Sequence, residues 1–311
     1  MKLISIVTPC YNEEGNVGKL YEMVKDIMES KLSNYSYEHI FIDNASEDNT
    51  IKVLKKIAYE DKNIKIIVNS RNFGHMRSPV YGMFQASGDA VILIVSDLQD
   101  PPEVIPQFIE KWEKGDDIVL AIKNSSEESK LMFSIRKFYY GILSRLSEID
   151  VFQNFTGFGL YDRKVMDSIK QLKDPYPFFR GMVAEVGFKV AKINYIQPAR
   201  QKGITKNNFY TLYDIGILGI ISNSKIPLRM AIFIGFTFGM LSFLIGIGYF
   251  VAKLLYWETM TFGTAPLIII TSFMFSIMLF FIGIVGEYIG AIYTQLLNRP
   301  LVFEKERVNF K

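Results

Sequence analysis

A single cysteine, Cys10, among 311 residues excludes an intrachain disulfide and fits a reducing compartment. A net charge of only +3 gives no reason to expect nucleic acid as the main partner. Met1-Lys2 runs straight into a strand-like segment, so no signal peptide is expected ahead of the first strand. Two stretches lack charge altogether: residues 230–252 and 259–286 contain no Asp, Glu, Lys or Arg. Each is long enough to cross a bilayer core as a helix, which takes roughly 20 residues. The other reading, two buried core helices, does not suit that length. Residues 1–225 have the composition of an ordinary charged globular domain.

The most informative stretch is Val91-Ile92-Leu93-Ile94-Val95-Ser96-Asp97-Leu98-Gln99-Asp100-Pro101-Pro102. It begins as the continuous apolar run expected of a strand buried on both faces. It then delivers Asp97, Gln99 and Asp100 within four residues, and two prolines stop it. Pro102 suits the first turn of a following helix. Open α/β sheets place ligands at the carboxyl ends of such strands. Hard oxygen donors there suit Mg²⁺ or Mn²⁺ shared with a diphosphate. The plainer reading is that Asp97 and Asp100 merely cap the next helix.

Taken in order, residues 3–8 form a short apolar strand broken by Pro9, followed by the polar loop Pro9-Cys10-Tyr11-Asn12-Glu13-Glu14-Gly15-Asn16. Val17, Leu20, Val24 and Ile27 then mark a helix face. Residues 37–43 form a second strand ending in Asp43-Asn44-Ala45-Ser46-Glu47-Asp48, and residues 64–68 a third, followed by Arg71-Asn72-Phe73-Gly74-His75. The strand of Asp97 is the fourth, and residues 118–122 add another. Strands alternating with helical patterns predict βαβ units and a mostly parallel sheet. Tyr11, Asp43 and Asp97 are thereby expected along one edge. Further on, residues 131–149 make a helix candidate carrying Arg136, and residues 153–161 a strand or tight turn. Residues 165–172 and 178–186 read as short helices and 188–196 as a strand. A basic loop with Arg200 and Lys206 leads into a helix at about 205–225, which lies either at a bilayer surface or in an ordinary core.

Flanking charge orients the two apolar stretches. Lys225 and Arg229 precede the first, and Arg299, Lys305, Arg307 and Lys311 follow the second, whereas Lys253 and Glu258 balance between them. Both termini are expected in the cytoplasm. The expected division is a catalytic domain at 1–225, a two-helix transmembrane region at 226–290 and a tail at 291–311.

The motifs at residues 9–13, 43–48, 71–75 and 97–102, in this order and ahead of two spans, resemble the inverting family 2 glycosyltransferases of GT-A fold. The similarity is greatest to the membrane-anchored polyprenyl-phosphate type, which includes bactoprenol glucosyltransferases and dolichol-phosphate mannose synthases. The resemblance covers nearly the whole chain. It implies a Rossmann-like GT-A α/β domain followed by two transmembrane helices, in a plasma membrane if the source is bacterial. It also implies a nucleotide-diphosphate sugar donor, a polyprenyl phosphate acceptor such as undecaprenyl or dolichyl phosphate, and a bilayer as partner. Pro9, Tyr11, Glu13, Asp43 and Ser46 are then expected around the nucleoside. Asp97 and Gln99 are expected on Mg²⁺ or Mn²⁺, with Asp97, Asp100, Arg136, Arg200 and Lys206 in the catalytic and phosphate-binding set. A homo-oligomer is left open.

Two departures qualify the match. The family's Asp-x-Asp is Val95-Ser96-Asp97 here, so one metal carboxylate is missing. Gly157 and Gly159 occupy positions where an acid and an arginine are expected, which leaves Asp150 as a guess for a base. A hydroxyl acceptor, on a glycan or glycolipid, needs that base. A catalytically silent membrane scaffold of the same fold does not.

Overall fold

The computed structural model describes residues 1–123, 152, 154–198, 221, 224–256 and 264–310. The helix expected at 131–149, Asp150, Arg136, Arg200, Lys206 and nearly all of the segment at 205–225 lie outside these residues.

The apolar runs do form strands. β1 (Leu3–Cys10), β2 (Ser36–Asp43), β3 (Ile64–Asn69) and β4 (Ala90–Leu93) are nearly continuous in burial. They pair in parallel as β4-β1-β2-β3. β5 (Ile118–Lys123), β6 (Phe155–Asp162), β7 (Val190–Tyr195) and β8 (Glu304–Val308) complete one sheet of order β7-β5-β6-β4-β1-β2-β3-β8. β6 runs antiparallel to both β4 and β5, so β5 and its parallel neighbour β7 point the same way as β1 to β4.

Helices cover both faces. α1 (Val17–Ser30), α2 (Thr50–Glu60) and α4 (Ile105–Glu113) pack on one, with Leu20, Val24 and Phe108 fully buried against Ile4, Ile6 and Ile92. α3 (Gly74–Phe84), α5 (Arg163–Gln171) and α6 (Phe179–Glu185) cover the other, around Val80, Met83, Val165 and Tyr161. Burying an aromatic such as Phe108 is worth about 1.5–3 kcal/mol, and its ring also meets Phe158 edge-on at 5.0 Å. α3 approaches closely because residue 82 is glycine: a Cβ there would lie 3.0 Å from both Ile42 and Val7.

Pro9 does not break β1, which continues through it to Cys10 opposite Asp43. The physical reason lies in the neighbour. Val7 faces β4 and accepts from Ile94, and Pro9, two residues on, faces the same side, past the end of the β4 pairing. The missing N–H therefore falls where no ladder partner is required. Its carbonyl accepts from Ser96 Oγ at 3.1 Å.

Two long helices follow, α7 (Ile226–Leu255) and α8 (Thr264–Leu297). They are about 45 and 51 Å long at 1.5 Å per residue and are long and apolar enough to cross a membrane. Large apolar side chains such as Phe233, Phe243, Leu279 and Phe280 are exposed on them. The chain then returns: residues 304–308, expected in a tail, form β8 antiparallel to β3, with Glu304 opposite Asn69. Because β7 ends and β8 begins at the carboxyl edge of the parallel strands, both connections to the apolar helices leave from that edge. The second is only six residues long, 298–303.

Candidate active site

The loops after β1 and β2 are laced together at the carboxyl edge. Asn12 N–H donates to Ser46 Oγ at 2.9 Å, and Glu47 N–H donates back to Asn12 Oδ1 at 2.8 Å. Glu13 N–H donates to Thr50 Oγ1 at 2.9 Å, and its carboxylate accepts from Asn16 Nδ2 at 2.6 Å. Asn12 and Ala45 hold left-handed backbone angles, φ 56° and 61°. For an L-residue that conformation costs about 1–2 kcal/mol, which the cross-loop hydrogen bonds offset.

Asp43 is fully buried. Its carboxylate accepts from both the backbone N–H and the hydroxyl of Ser46. Burial pushes its pKa up. Asp43 thus shapes the loop, while Tyr11, Asn12, Glu13 and Ser46 stay partly exposed on it. Cys10, beneath, is buried with Sγ 3.6 Å from the Ile42 carbonyl, and burial followed by the Asp43 charge pushes its thiol well up. It is a poor nucleophile.

The third loop follows β4. Ser96, through Pro9, ties it to the first. Leu98 takes φ 61° with its side chain buried. Asp97 Oδ1 accepts from Gln99 N–H at 3.1 Å, and both side chains are partly exposed. Asp100 is different: it is buried, accepting from Tyr195 Oη at 3.1 Å and from Val95 N–H at 3.4 Å. Burial, then the charge of Asp97, pushes its carboxyl up to about 7. The helix-cap reading of Asp97 and Asp100 is not upheld. Pro101 holds the cap position of the 3-10 turn Pro102–Val104, and no side chain caps it.

The donor set here is Asp97 with Gln99. No group of three or more His, Cys, Asp or Glu side chains is placed to hold a metal among the described residues. That set fits a hydrated divalent cation that takes phosphate oxygens as further ligands, and does not fit a closed cage.

The glycines that depart from the expected pattern have backbone reasons. Gly157 has φ +109°, and a Cβ on it would lie 3.2 Å from Leu93 Cδ2. A Cβ on Gly159 would lie 2.5 Å from the Val119 carbonyl. An acid at 157 is strained by the backbone angle, and an arginine at 159 is blocked by the Val119 carbonyl.

The structure thus brings Pro9, Tyr11, Glu13, Asp43 and Ser46 together at the ends of β1 and β2 and on the loops that follow, and joins the loop of Asp97, Gln99 and Asp100 to them. Sequence reasoning missed Asn44, whose Nδ2 donates to Asn72 Oδ1 at 2.9 Å and whose Oδ1 accepts from Phe73 N–H at 2.8 Å. Its position next to Asp43 was the available signal. It missed Tyr195 as well, for which local sequence holds no signal.

Residues 5–170 match the model of glycosyl transferase family 2. An uncharacterized glycosyltransferase of Bacillus subtilis (strain 168), YkcC, is 37% identical over 96% of this chain and 91% of its own. The SfII prophage-derived bactoprenol glucosyl transferase of Shigella flexneri is 35% identical over 96% of both chains. A prophage bactoprenol glucosyl transferase homolog of Escherichia coli (strain K12) is 33% identical over the same shares. Among solved structures, glucosyl-3-phosphoglycerate synthase of Mycobacterium tuberculosis superposes with a TM-score of 0.48 at 17% identity, over 71% of this chain and 76% of that one.

Proposed function

We propose that this chain, which belongs to glycosyl transferase family 2, moves a sugar from a nucleotide-diphosphate sugar onto a polyprenyl phosphate at a membrane surface. The observation that carries this reading is the placement of the site. The edge that holds Asp43, Asp97 and Gln99 is also the edge from which both connections to the apolar helices leave. Six residues reach at most about 25 Å, so this edge stays close to the end of α8. Relatives named bactoprenol glucosyl transferase support a polyprenol lipid as acceptor.

With α7 and α8 crossing the bilayer, β8 pairing with β3 keeps entry and exit of the helical hairpin on the domain's side. The cations Lys225, Arg229, Arg299, Lys305 and Arg307 favour the cytoplasmic side for it.

In the reaction, an oxygen of the lipid phosphate attacks the anomeric carbon from the face opposite the leaving group. The bond from that carbon to the β-phosphate oxygen breaks, and the nucleoside diphosphate departs with the electron pair, which inverts the configuration. Tyr11, Glu13 and Ser46 bind the nucleoside, and buried Asp43 holds their loop in shape. Asp97 and Gln99 would hold Mg²⁺ or Mn²⁺, which when bound would neutralise charge on the departing diphosphate. Arg136, Arg200 and Lys206 serve phosphate groups, Arg as a planar fork and Lys as a point charge. A sugar hydroxyl needs a general base near neutral pH. A phosphate monoester, with a second pKa of about 6, is already ionised, so Gly157 is compatible with this acceptor.

The test is release of nucleoside diphosphate from a panel of nucleotide sugars, with undecaprenyl phosphate or undecaprenol as acceptor. Release that depends on the lipid phosphate is expected. Equal release with the alcohol points to the hydroxyl-acceptor reading, and none with either points to a silent scaffold.

A further inference from the structure

The segment returning from α8 does more than close the sheet. Val302 is buried, and the Phe303 carbonyl accepts from Ser70 N–H at 2.8 Å. The Phe303 ring meets Phe73 with centroids 6.2 Å apart, and the Arg71 guanidinium lies 4.0 Å from the other ring's centre, that of Phe73. From the inside, Asn44 grips the same loop through Asn72 Oδ1, Phe73 N–H and the Gly74 carbonyl. Asn44 follows Asp43, so the loop at 70–74 borders the nucleoside side of the site.

Beyond Phe303 the strand is fastened along its length. Tyr81 Oη donates to Glu304 at 2.7 Å, Arg307 donates to Gln85 at 2.7 Å, and Lys55 pairs with Glu306 at 2.7 Å. Asn309 Nδ2 donates to the Ala58 and Ile64 carbonyls. Phe303 itself is 58% exposed, so its ring adds little to the core. What the ring does touch is the loop.

We infer that Phe303 is a positioning residue for the nucleotide-sugar donor, holding the loop at 70–74 against Asn44 and making donor binding depend on the chain that returns from the second apolar helix. The inference rests on the donor reading proposed above. A loop clamped from both sides presents Arg71 and Asn72 in one arrangement. Losing the outer clamp leaves several, and binding then includes the cost of selecting one.

The experiment uses the full-length protein in detergent, with UDP and GDP as probes in the presence of Mg²⁺, and compares wild type, Phe303→Ala and Phe303→Tyr. The alanine variant is expected to bind the preferred diphosphate about three- to tenfold more weakly, the range an aromatic pair supports. Its thermal midpoint and its KM for polyprenyl phosphate should stay unchanged, and the tyrosine variant should restore binding. Wild-type-like binding by Phe303→Ala overturns the inference and leaves the donor reading intact. So does a higher lipid KM with unaltered diphosphate binding, which places the ring in the bilayer surface. A loss of binding that tracks a lower midpoint and is not rescued by tyrosine overturns it too, as a fold defect. If wild type binds neither diphosphate, the donor reading itself fails and the inference with it.

Discussion

The hydroxyl of Tyr195 donates to Asp100 Oδ1 at 3.1 Å, joining two side chains 95 positions apart. The bond fixes the loop after β4 to the end of β7, and the ring of Tyr195 is itself held edge-on by Phe158 at 5.6 Å. The next stretch of chain carries Arg200 and Lys206. Asp100 therefore keeps the loop in place, while Asp97 stays partly exposed on it.

Asp97→Asn should accordingly spare the fold. Asparagine keeps an oxygen to accept from Gln99 N–H and loses the charge. Metal-dependent donor binding is expected to weaken at least about tenfold, the lower bound for disturbing a metal's surroundings. Titrating Mg²⁺ against donor binding in both proteins checks this. Wild-type affinity in the variant, or donor binding that survives thorough removal of divalent metal, contradicts the assignment.

Restoring the missing acid should not help. Gly157→Asp forces a side chain onto a backbone at φ +109° and against Leu93. A cost of about 1–3 kcal/mol is expected, read by denaturant unfolding, with no gain in turnover. A stable and faster variant would mean that a base is wanted there after all.

Much of this edge was legible in the chain. Apolar runs that end in Asp43 and Asp97 declare both the strand and the side on which it ends. Pro9 misled because its tolerance depends on where a neighbouring strand stops, which no local pattern records. β8 was illegible for a different reason. Glu304-Lys305-Glu306-Arg307 has no apolar alternation, since an edge strand with outward charges has little to bury. The loop motifs place Asp43, Asp97 and Asp100 at the ends of their strands, but only packing reveals that Asp43 and Asp100 are enclosed while Asp97 is partly open. Gly157 looked like a lost acid in sequence and is a backbone requirement in the fold.

Acid should reveal His39. It is fully buried in β2, with Nε2 2.9 Å from Thr8 Oγ1 and no hydrogen-bond partner for Nδ1 among the described residues. Burial pushes its pKa down to about 3. The unfolded chain, with an ordinary imidazole near 6.5, binds the proton first. The stability contributed is therefore present above about pH 6.5 and lost as pH falls towards 3, by at most about 1.4 kcal/mol per unit. Unfolding of wild type and His39→Gln should show a difference that shifts in favour of the variant across that window. A difference independent of pH contradicts the burial argument.

The central claim is transfer of a sugar to a lipid phosphate, and the mass of the lipid product tests it most directly. Purified full-length protein in lipid vesicles, given Mg²⁺, undecaprenyl phosphate and a nucleotide sugar, should yield the lipid phosphate plus one glycosyl residue. The single phosphorus should be retained, with nucleoside diphosphate released in equal amount. A lipid bearing two phosphates with nucleoside monophosphate released, or a sugar found only on a hydroxyl acceptor, would contradict it.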